Sequence, residues 1–411
     1  MTPVRTAVAL LALVGFGLVV GLPGSIHHFG SATESGTSPP ADALVEPREN
    51  ASLLWPYTSK SRSVEDRTLA INLVIHGGQD EVRRSLADQT GLEWNRTDDN
   101  ETEADASTHS VVVTDDGFEW SSARGSTRYT YIDAGPHGGP GMWKTPDYQL
   151  HSGNYLGTRQ HIRAYNAPNP DDDWTALQAH GEYWDWFRLR HTVTSVQGSA
   201  RIVESEFLDE PYVSEVRREY HGNRGGGNDG WITAVELALA GIVVGLSFGR
   251  ALPDSVEQAR SEAEAVFAKN GKRVLLPGSL AALYLGVRTA GVALEGVLPT
   301  TSPKVFAGVL YPVLAFGIPL VAARASRPLG RTMAFTLAVV GLGAAFVLDF
   351  SALGVNSVSI RLAVHRVALL VSVGLVAAGC ARRDGAGEAP LVALGAVFWV
   401  LCLLLPLLGM L

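Results

Sequence analysis

Six long apolar runs crowd the C-terminal part of this chain, near residues 232–249, 275–297, 304–323, 332–354, 360–380 and 390–410. Each approaches the roughly 20 residues that a helix needs to cross the hydrocarbon of a bilayer. In hydrocarbon a backbone satisfies its own donors and acceptors only as a helix or in a closed barrel. Unbroken apolar runs of this length select the helix. Residues 232–411 are therefore expected to form an all-α polytopic bundle, and the lipid bilayer is the first partner of the chain. A further run, Thr6 to Leu22, follows Arg5 directly. It reads as an anchor or signal segment over 1–23, and seventeen uninterrupted apolar positions favour the uncleaved anchor.

The connectors between the runs differ in charge. One set carries Arg250, Arg260, Lys269, Lys272 and Arg273, then Arg324, Arg327 and Arg331, then Arg382 and Arg383; the other set offers Lys304 and Arg361. The positive-inside rule assigns 250–274, 324–331 and 381–389 to the cytoplasm. That makes residues 24–231 extracytoplasmic in a multi-pass protein of the cell membrane, in agreement with Arg5 inside. Three acceptor sequons, at Asn50, Asn95 and Asn100, fall in the same exported stretch.

Charge separates the two parts. Residues 24–230 hold 32 acidic against 18 basic side chains, whereas 231–411 hold 9 against 14. An exported part this acidic is not a nucleic-acid binder, because that affinity rests on Lys and Arg neutralising phosphates. Only five of the 33 basic residues are Lys. An acidic, Lys-poor surface is the composition of a halophilic protein; GC-rich codon bias toward Arg is the alternative. The two cysteines, Cys380 and Cys402, lie in the apolar C-terminal runs. The exported part thus has no disulfide framework and no thiolate metal site.

Within it, residues 24–54 read as a disordered acidic linker rich in Ser, Thr and Pro. Order is expected over 55–221, followed by a Gly-rich tether at 222–231, GNRGGGNDG before Trp231. Leu69–Ile75 alternates as a strand and runs through His76-Gly-Gly into a helix from Gln79 to Thr90. Val111–Val113 and Thr127–Ile132 are short strand candidates. Thr158–Tyr165 and Trp174–Leu189 are stronger ones, joined by the hairpin-forming NAPNPDDD. Segment 199–220 has helical character. The fold class is an α+β exported domain followed by the helix bundle.

Ile71-Asn-Leu-Val-Ile-His-Gly-Gly78, Tyr155-Leu-Gly157 and Arg159-Gln-His-Ile-Arg-Ala-Tyr165 together resemble the LssY C-terminal domain family over about residues 70–215. Gly181–Asp185 and Glu204-Ser-Glu-Phe207 match its later parts. The chain departs from the pattern where Gln160 replaces the first His of a pair, and no paired-His element stands near Gln197–Ala200. The resemblance implies an α+β fold and no particular reaction. Some relatives are fused to membrane phosphatidic-acid phosphatase domains, whose Lys/Arg-Pro, Ser-Gly-His and Arg-His-Asp motifs are missing from this sequence.

Strand alternation sets Arg159, His161, Arg163 and Tyr165 on one face. Pairing Tyr165 with Trp174 brings Gln178 and His180 beside them, with Glu182 and Trp184 continuing the face. Guanidinium forks edged by an indole suit an anion or sugar. His161, His180 and His191 could instead converge on a metal. A solvated face with cross-strand charge pairs is the plainest reading. No cofactor is implied. The run Tyr183-Trp-Asp-Trp-Phe187 puts aromatics on both faces, so it is either packed in the domain core or docked on another body, the membrane included. Asp185 would then need a buried partner, for which Arg188 and Arg190 are the candidates.

The ionisable residues inside the apolar runs are Glu236, Arg288, Glu295, Asp349, His365 and Arg366. All fall in the outer halves, within about 12–15 Å of the boundary. Such charges face a partner or a wet cavity. The expectation is an outward-open polar pocket in which Asp349, Glu295 or Glu236 neutralises the arginines, or else ion pairs near the surface. There is no phosphate-binding Gly loop, His-Glu-x-x-His, Gly-x-Ser-x-Gly or dinucleotide fingerprint. The functional expectation is a displayed domain that binds an envelope ligand or a membrane-protein partner. A hydrolase or transferase acting on a lipid or glycan through His161 and His180 is the alternative. A small transporter is less consistent, since a permeation route would mark the inner halves too.

Overall fold

The computed structural model describes residues 37–92, 95–96, 113–114, 117–118, 128–135, 140–224, 228–238, 256–355, 358–382 and 388–408. The N-terminal run, Asn100 and most of the acidic loop around it lie outside these. The architecture is the expected one: an α+β domain followed by consecutive long apolar helices.

The main sheet has eight strands. In chain order they are β1 (Leu73–His76), β2 (Asn95–Arg96), β3 (Tyr148–Gly153), β4 (Thr158–Asn166), β5 (Trp174–Asp185), β6 (Arg190–Ser195), β7 (Val213–Tyr220) and β8 (Trp231–Leu237). The sheet runs β7-β8-β1-β5-β4-β3-β2, and β6 pairs with the end of β5. All pairings are antiparallel except β8 with β1. Strand alternation divides its faces. Leu73, Ile75, Ile162, Ala164, Leu177 and Ala179 pack under helices α1 (Gln79–Arg84) and α2 (Gln197–Ser205), against Val82, Ala200 and Val203. The opposite face carries Val74, Tyr165, Trp174 and Ala176, which meet Leu54 and Ile132 of a small three-stranded sheet. Beyond them that face turns polar.

Several boundaries differ from the sequence reading. The strand expected at 69–75 breaks into Arg67–Ala70 and Leu73–His76. Asn72 between them is buried, with its amide bonded to the N–H and C=O of Ala179. Only the first part of 199–220 is helix; a turn follows, and Val213–Tyr220 is β7. Residues 37–54 of the supposed linker fold onto the domain, where Leu54 is fully buried and pairs with Ile132. The chain does not pass from the expected tether at 222–231 straight into a span: Tyr220 pairs with Trp231, so β7 and β8 on either side of it belong to one hairpin of the sheet. Trp231–Leu237, expected to begin a span, is a strand inside the sheet.

Among the described residues, five helices are long and apolar enough to cross a membrane: Val274–Val297 within α3 (Val256–Val297), α4 (Pro303–Ala325), α5 (Arg331–Ala352), α6 (Ile360–Cys380) and α7 (Ala389–Leu407). The protein is a multi-pass membrane protein, and these helices meet lipid. The short connections α3–α4 and α5–α6 stand at one end of the bundle, with the C-terminus of α7. The domain docks at this end.

Candidate functional site

The site begins with strand register. Arg163 pairs with Gln178, His161 with His180 and Arg159 with Glu182. The expected face is therefore assembled, though two residues out of the pairing anticipated from Tyr165 and Trp174, since Tyr165 stands opposite Ala176. The register on β3 adds Gln149 and His151, opposite Arg163 and His161. A bulge at Gly181/Glu182 shifts the pairing with β6. Gly181 is needed there, because a Cβ would stand 2.6 Å from Thr194 Oγ1. Bulges of this kind re-aim the side chains beside them.

The face is not solvated, contrary to the plainest reading. His161 is 6 % exposed, His180 1 % and Glu182 1 %, and Arg159 and Arg163 are equally buried. Arg159 Nε donates to Glu182 Oε1 at 2.5 Å. Arg163 Nη1 donates to Gln178 Oε1 at 2.9 Å. His161 Nε2 meets Gln149 Oε1 at 3.0 Å, and His180 Nε2 lies 3.5 Å from Glu182 Oε2. Three buried nitrogens have no hydrogen-bond partner: His161 Nδ1, His180 Nδ1 and Arg163 Nε.

Burial sets the protonation states. Desolvation drives His161 well below the usual imidazole range, with Arg163 adding to the effect, and drives His180 down as well. Glu182 is held well below the usual carboxylate range. Burial alone would raise it, but the Arg159 guanidinium and the hydrogen bond from His180 outweigh that. The centre thus holds an ionised carboxylate, two neutral imidazoles and two guanidiniums.

His191 does not join His161 and His180 as a third ligand. Its Nε2 faces the Tyr155 carbonyl at 2.9 Å and its Nδ1 lies 3.5 Å from Arg159 Nη2. Desolvation lowers it to about 4. Glu182 takes the place expected of His191. Trp184 packs between Tyr155, Trp186 and His191 and carries the centre toward the bundle.

At that end, Tyr183–Phe187 finds its role. The domain core does not enclose it; Trp184, Trp186 and Phe187 enter the core of the bundle. Phe187 stacks on Tyr284, with centroids 5.8 Å apart, and meets Phe346 and Trp399 edge-on. Asp185 pairs with Arg366 of α6, not with Arg188 or Arg190. Arg288 of α3 binds Asp349 of α5 and donates to the Leu156 carbonyl at 2.6 Å. Glu295 accepts from Leu156 N–H at 2.5 Å.

The expected intramembrane cluster is accordingly redistributed. Glu236 lies on β8 and pairs with His76 and Arg217, away from the spans. His365 Nε2 faces the Cys402 carbonyl at 2.9 Å. Arg288, Glu295, Asp349 and Arg366 do meet at one end, but as the floor on which the domain sits. Residues 155–156 and 185–187 fill the space expected as an open pocket. The sequence reading missed Gln149, His151 and the whole domain–bundle contact. Alternation in Tyr148-Gln-Leu-His-Ser152 would have placed the first two on the centre's face. Of the sequons, Asn50 is exposed with a positive φ of 60°; Asn95 starts β2 and Asn100 lies outside the described residues. No family model, curated protein or solved structure matches the chain.

Proposed function

We propose that this membrane protein holds an LssY-like α+β domain on the extracytoplasmic face and binds a small envelope ligand in the Arg159–Glu182 centre, without turnover of its own. The observation that carries this reading is a buried row of charged and imidazole side chains whose polar atoms are only partly satisfied by one another. Three partnerless nitrogens on His161, His180 and Arg163 stand within a single row of side chains. Leaving such groups unsatisfied costs about 1–3 kcal/mol each, and folds retain them where something else supplies the partner. The bundle's own charged groups are occupied in seating the domain, which favours an anchor over a transport route. The exported orientation is supported by charge, since Arg324, Arg327, Arg331 and Arg382 lie at the bundle end away from the domain.

Two measurements test this. In full-length protein with Cys380 and Cys402 replaced, an impermeant maleimide on intact cells should label Ser205→Cys and not Arg327→Cys; the opposite pattern overturns the orientation. Thermal unfolding of the detergent-solubilised chain should shift upward with inorganic phosphate, glucuronate or a divalent metal, and the shift should disappear in Arg163→Ala or His161→Ala. No shift with any of the three overturns the binding reading.

A further inference from the structure

We infer that His161, His180 and Glu182 form a site for one divalent first-row transition metal of the zinc or iron type. The inference rests on the ligand-binding reading of the same centre and specifies its occupant. Each of the three residues offers a ligand atom, and these atoms lie within 4.8 Å of one another. His161 Nδ1 is 4.0 Å and His180 Nε2 is 3.5 Å from Glu182 Oε2. Without metal the His180 Nε2 proton bridges to that oxygen; a bound metal would replace it, the imidazole then carrying its proton on the unpartnered Nδ1. Ligands held at about 2.0–2.2 Å around a tetrahedral ion stand roughly 3.3 Å apart. Reaching that geometry takes closure of roughly 0.2 Å at His180, roughly 0.7 Å at His161 and at most about 1.5 Å between the most widely separated ligand atoms, within the reach of small side-chain rotations.

The hydrogen bonds around the trio point the same way. Gln149 presents its carbonyl oxygen to His161 Nε2, and a carbonyl only accepts, so Nε2 carries the proton and Nδ1 carries the lone pair. That lone pair has no partner and faces a carboxylate oxygen. Two electron-rich atoms aimed at each other in a dry interior repel; a cation between them reverses the sign. Arg159 occupies the other oxygen, Glu182 Oε1, leaving Oε2 toward the imidazoles. A metal-ligating histidine oriented by a hydrogen bond on its far nitrogen, and a ligating carboxylate oriented in turn, is the outer-shell arrangement of protein metal sites. Two imidazoles and one carboxylate suit Zn²⁺, Fe²⁺ or Mn²⁺, whereas Ca²⁺ and Mg²⁺ take oxygen sets. Three protein ligands leave coordination positions open for water or a small anion, and the unpartnered Arg163 Nε is a spare donor on the same face.

The test uses the full-length chain in detergent, carrying no polyhistidine tag. Stripped with a chelator, it should bind one equivalent of Zn²⁺ or Co²⁺, and the Co²⁺ form should show visible d–d absorption. His161→Ala and His180→Ala should abolish stoichiometric binding, and Glu182→Gln should weaken it at least tenfold. Gln149→Ala, which removes only the orienting bond, should weaken it about 10–100-fold. Thermal unfolding in chelator shows whether each variant is folded, and a variant that is not is replaced by His161→Gln or His180→Gln. Absence of stoichiometric binding, or wild-type binding by the folded histidine variants, overturns the metal site. Phosphate or glucuronate stabilisation that survives chelation and depends on Arg163 would then leave the broader binding reading standing; its absence as well would remove both.

Discussion

Arg366, inside a membrane-spanning helix, and Asp185, at the end of a β-strand 181 positions earlier in the chain, form an ion pair of 2.5 Å in which both side chains are buried. The guanidinium also lies 4.9 Å from the Phe187 ring centroid and 5.2 Å from that of Phe346. The other Asp185 contacts come from its own turn: Oδ1 accepts from the Phe187 and Arg188 N–H groups at 3.0 and 3.2 Å. One carboxylate therefore shapes the turn that enters the bundle and neutralises the charge waiting there.

Removing either partner leaves the other charged and buried. Asp185→Asn or Arg366→Met should each destabilise the full chain by about 3–5 kcal/mol. The double variant should recover a large part of that loss, because no lone charge remains. Thermal unfolding in detergent, read as a double-mutant cycle, measures the coupling. Additive losses would show that the two groups act independently.

Gly291 is the next test of the junction. A Cβ there would approach Trp186 Cζ2 at 3.1 Å and Leu156 Cδ1 at 3.3 Å. Gly291→Ala should cost about 1–3 kcal/mol by overpacking, and Gly291→Leu should displace Trp186. The expected signature is a red shift in tryptophan emission with new tryptic cleavage at Arg188 and Arg190, while the α+β domain retains its circular dichroism.

Much of this architecture is legible in the residues, and the failures have physical causes. The five spans between residues 274 and 407 were recognisable because apolar length and flanking charge specify a membrane helix almost alone. The polar face of β4 and β5 followed from the two-residue repeat, and a register two positions off still keeps the same side chains on the same face. Trp231–Leu237 misled because β8 is parallel to β1 and sits between β1 and β7 in the sheet. Such a strand reads as a continuous apolar run, with nothing local to separate it from the residues after it. The polar pocket could not be told from a docking floor. Arg288 and Arg366 announce that a partner is required, but Asp185 and the Leu156 carbonyl lie far away in sequence and carry no local mark of that role.

Asn72 tests the break between the strands Arg67–Ala70 and Leu73–His76. Its amide accepts from Ala179 N–H at 2.9 Å and donates to Ala179 O at 2.8 Å, in place of a backbone neighbour. Asn72→Ala strands both groups in a buried setting, so a loss of about 1–3 kcal/mol per group is expected. Hydrogen exchange should locate the change at Ala179, one residue from His180, and ligand or metal affinity at the centre should fall with it. Unchanged protection of that amide would refute the assignment.

Acidification should destabilise the chelator-treated protein. His191 is lowered to about 4 by burial, and His161 and His180 are lowered too, whereas an unfolded imidazole takes its proton near 6.5. Between those values the unfolded chain binds more protons than the folded one, so stability must rise with pH and fall on acidification. It is fully present above about 6.5 and lost as pH drops toward 4, at up to about 1.4 kcal/mol per pH unit for each imidazole. Glu182, held below its ordinary range, adds a loss of the same sign only once pH passes beneath about 4.5. His191→Asn should remove one imidazole's share of the slope between pH 6.5 and 4. A flat profile over that window, measured by thermal unfolding of the full chain, would mean that these imidazoles are not buried neutral groups.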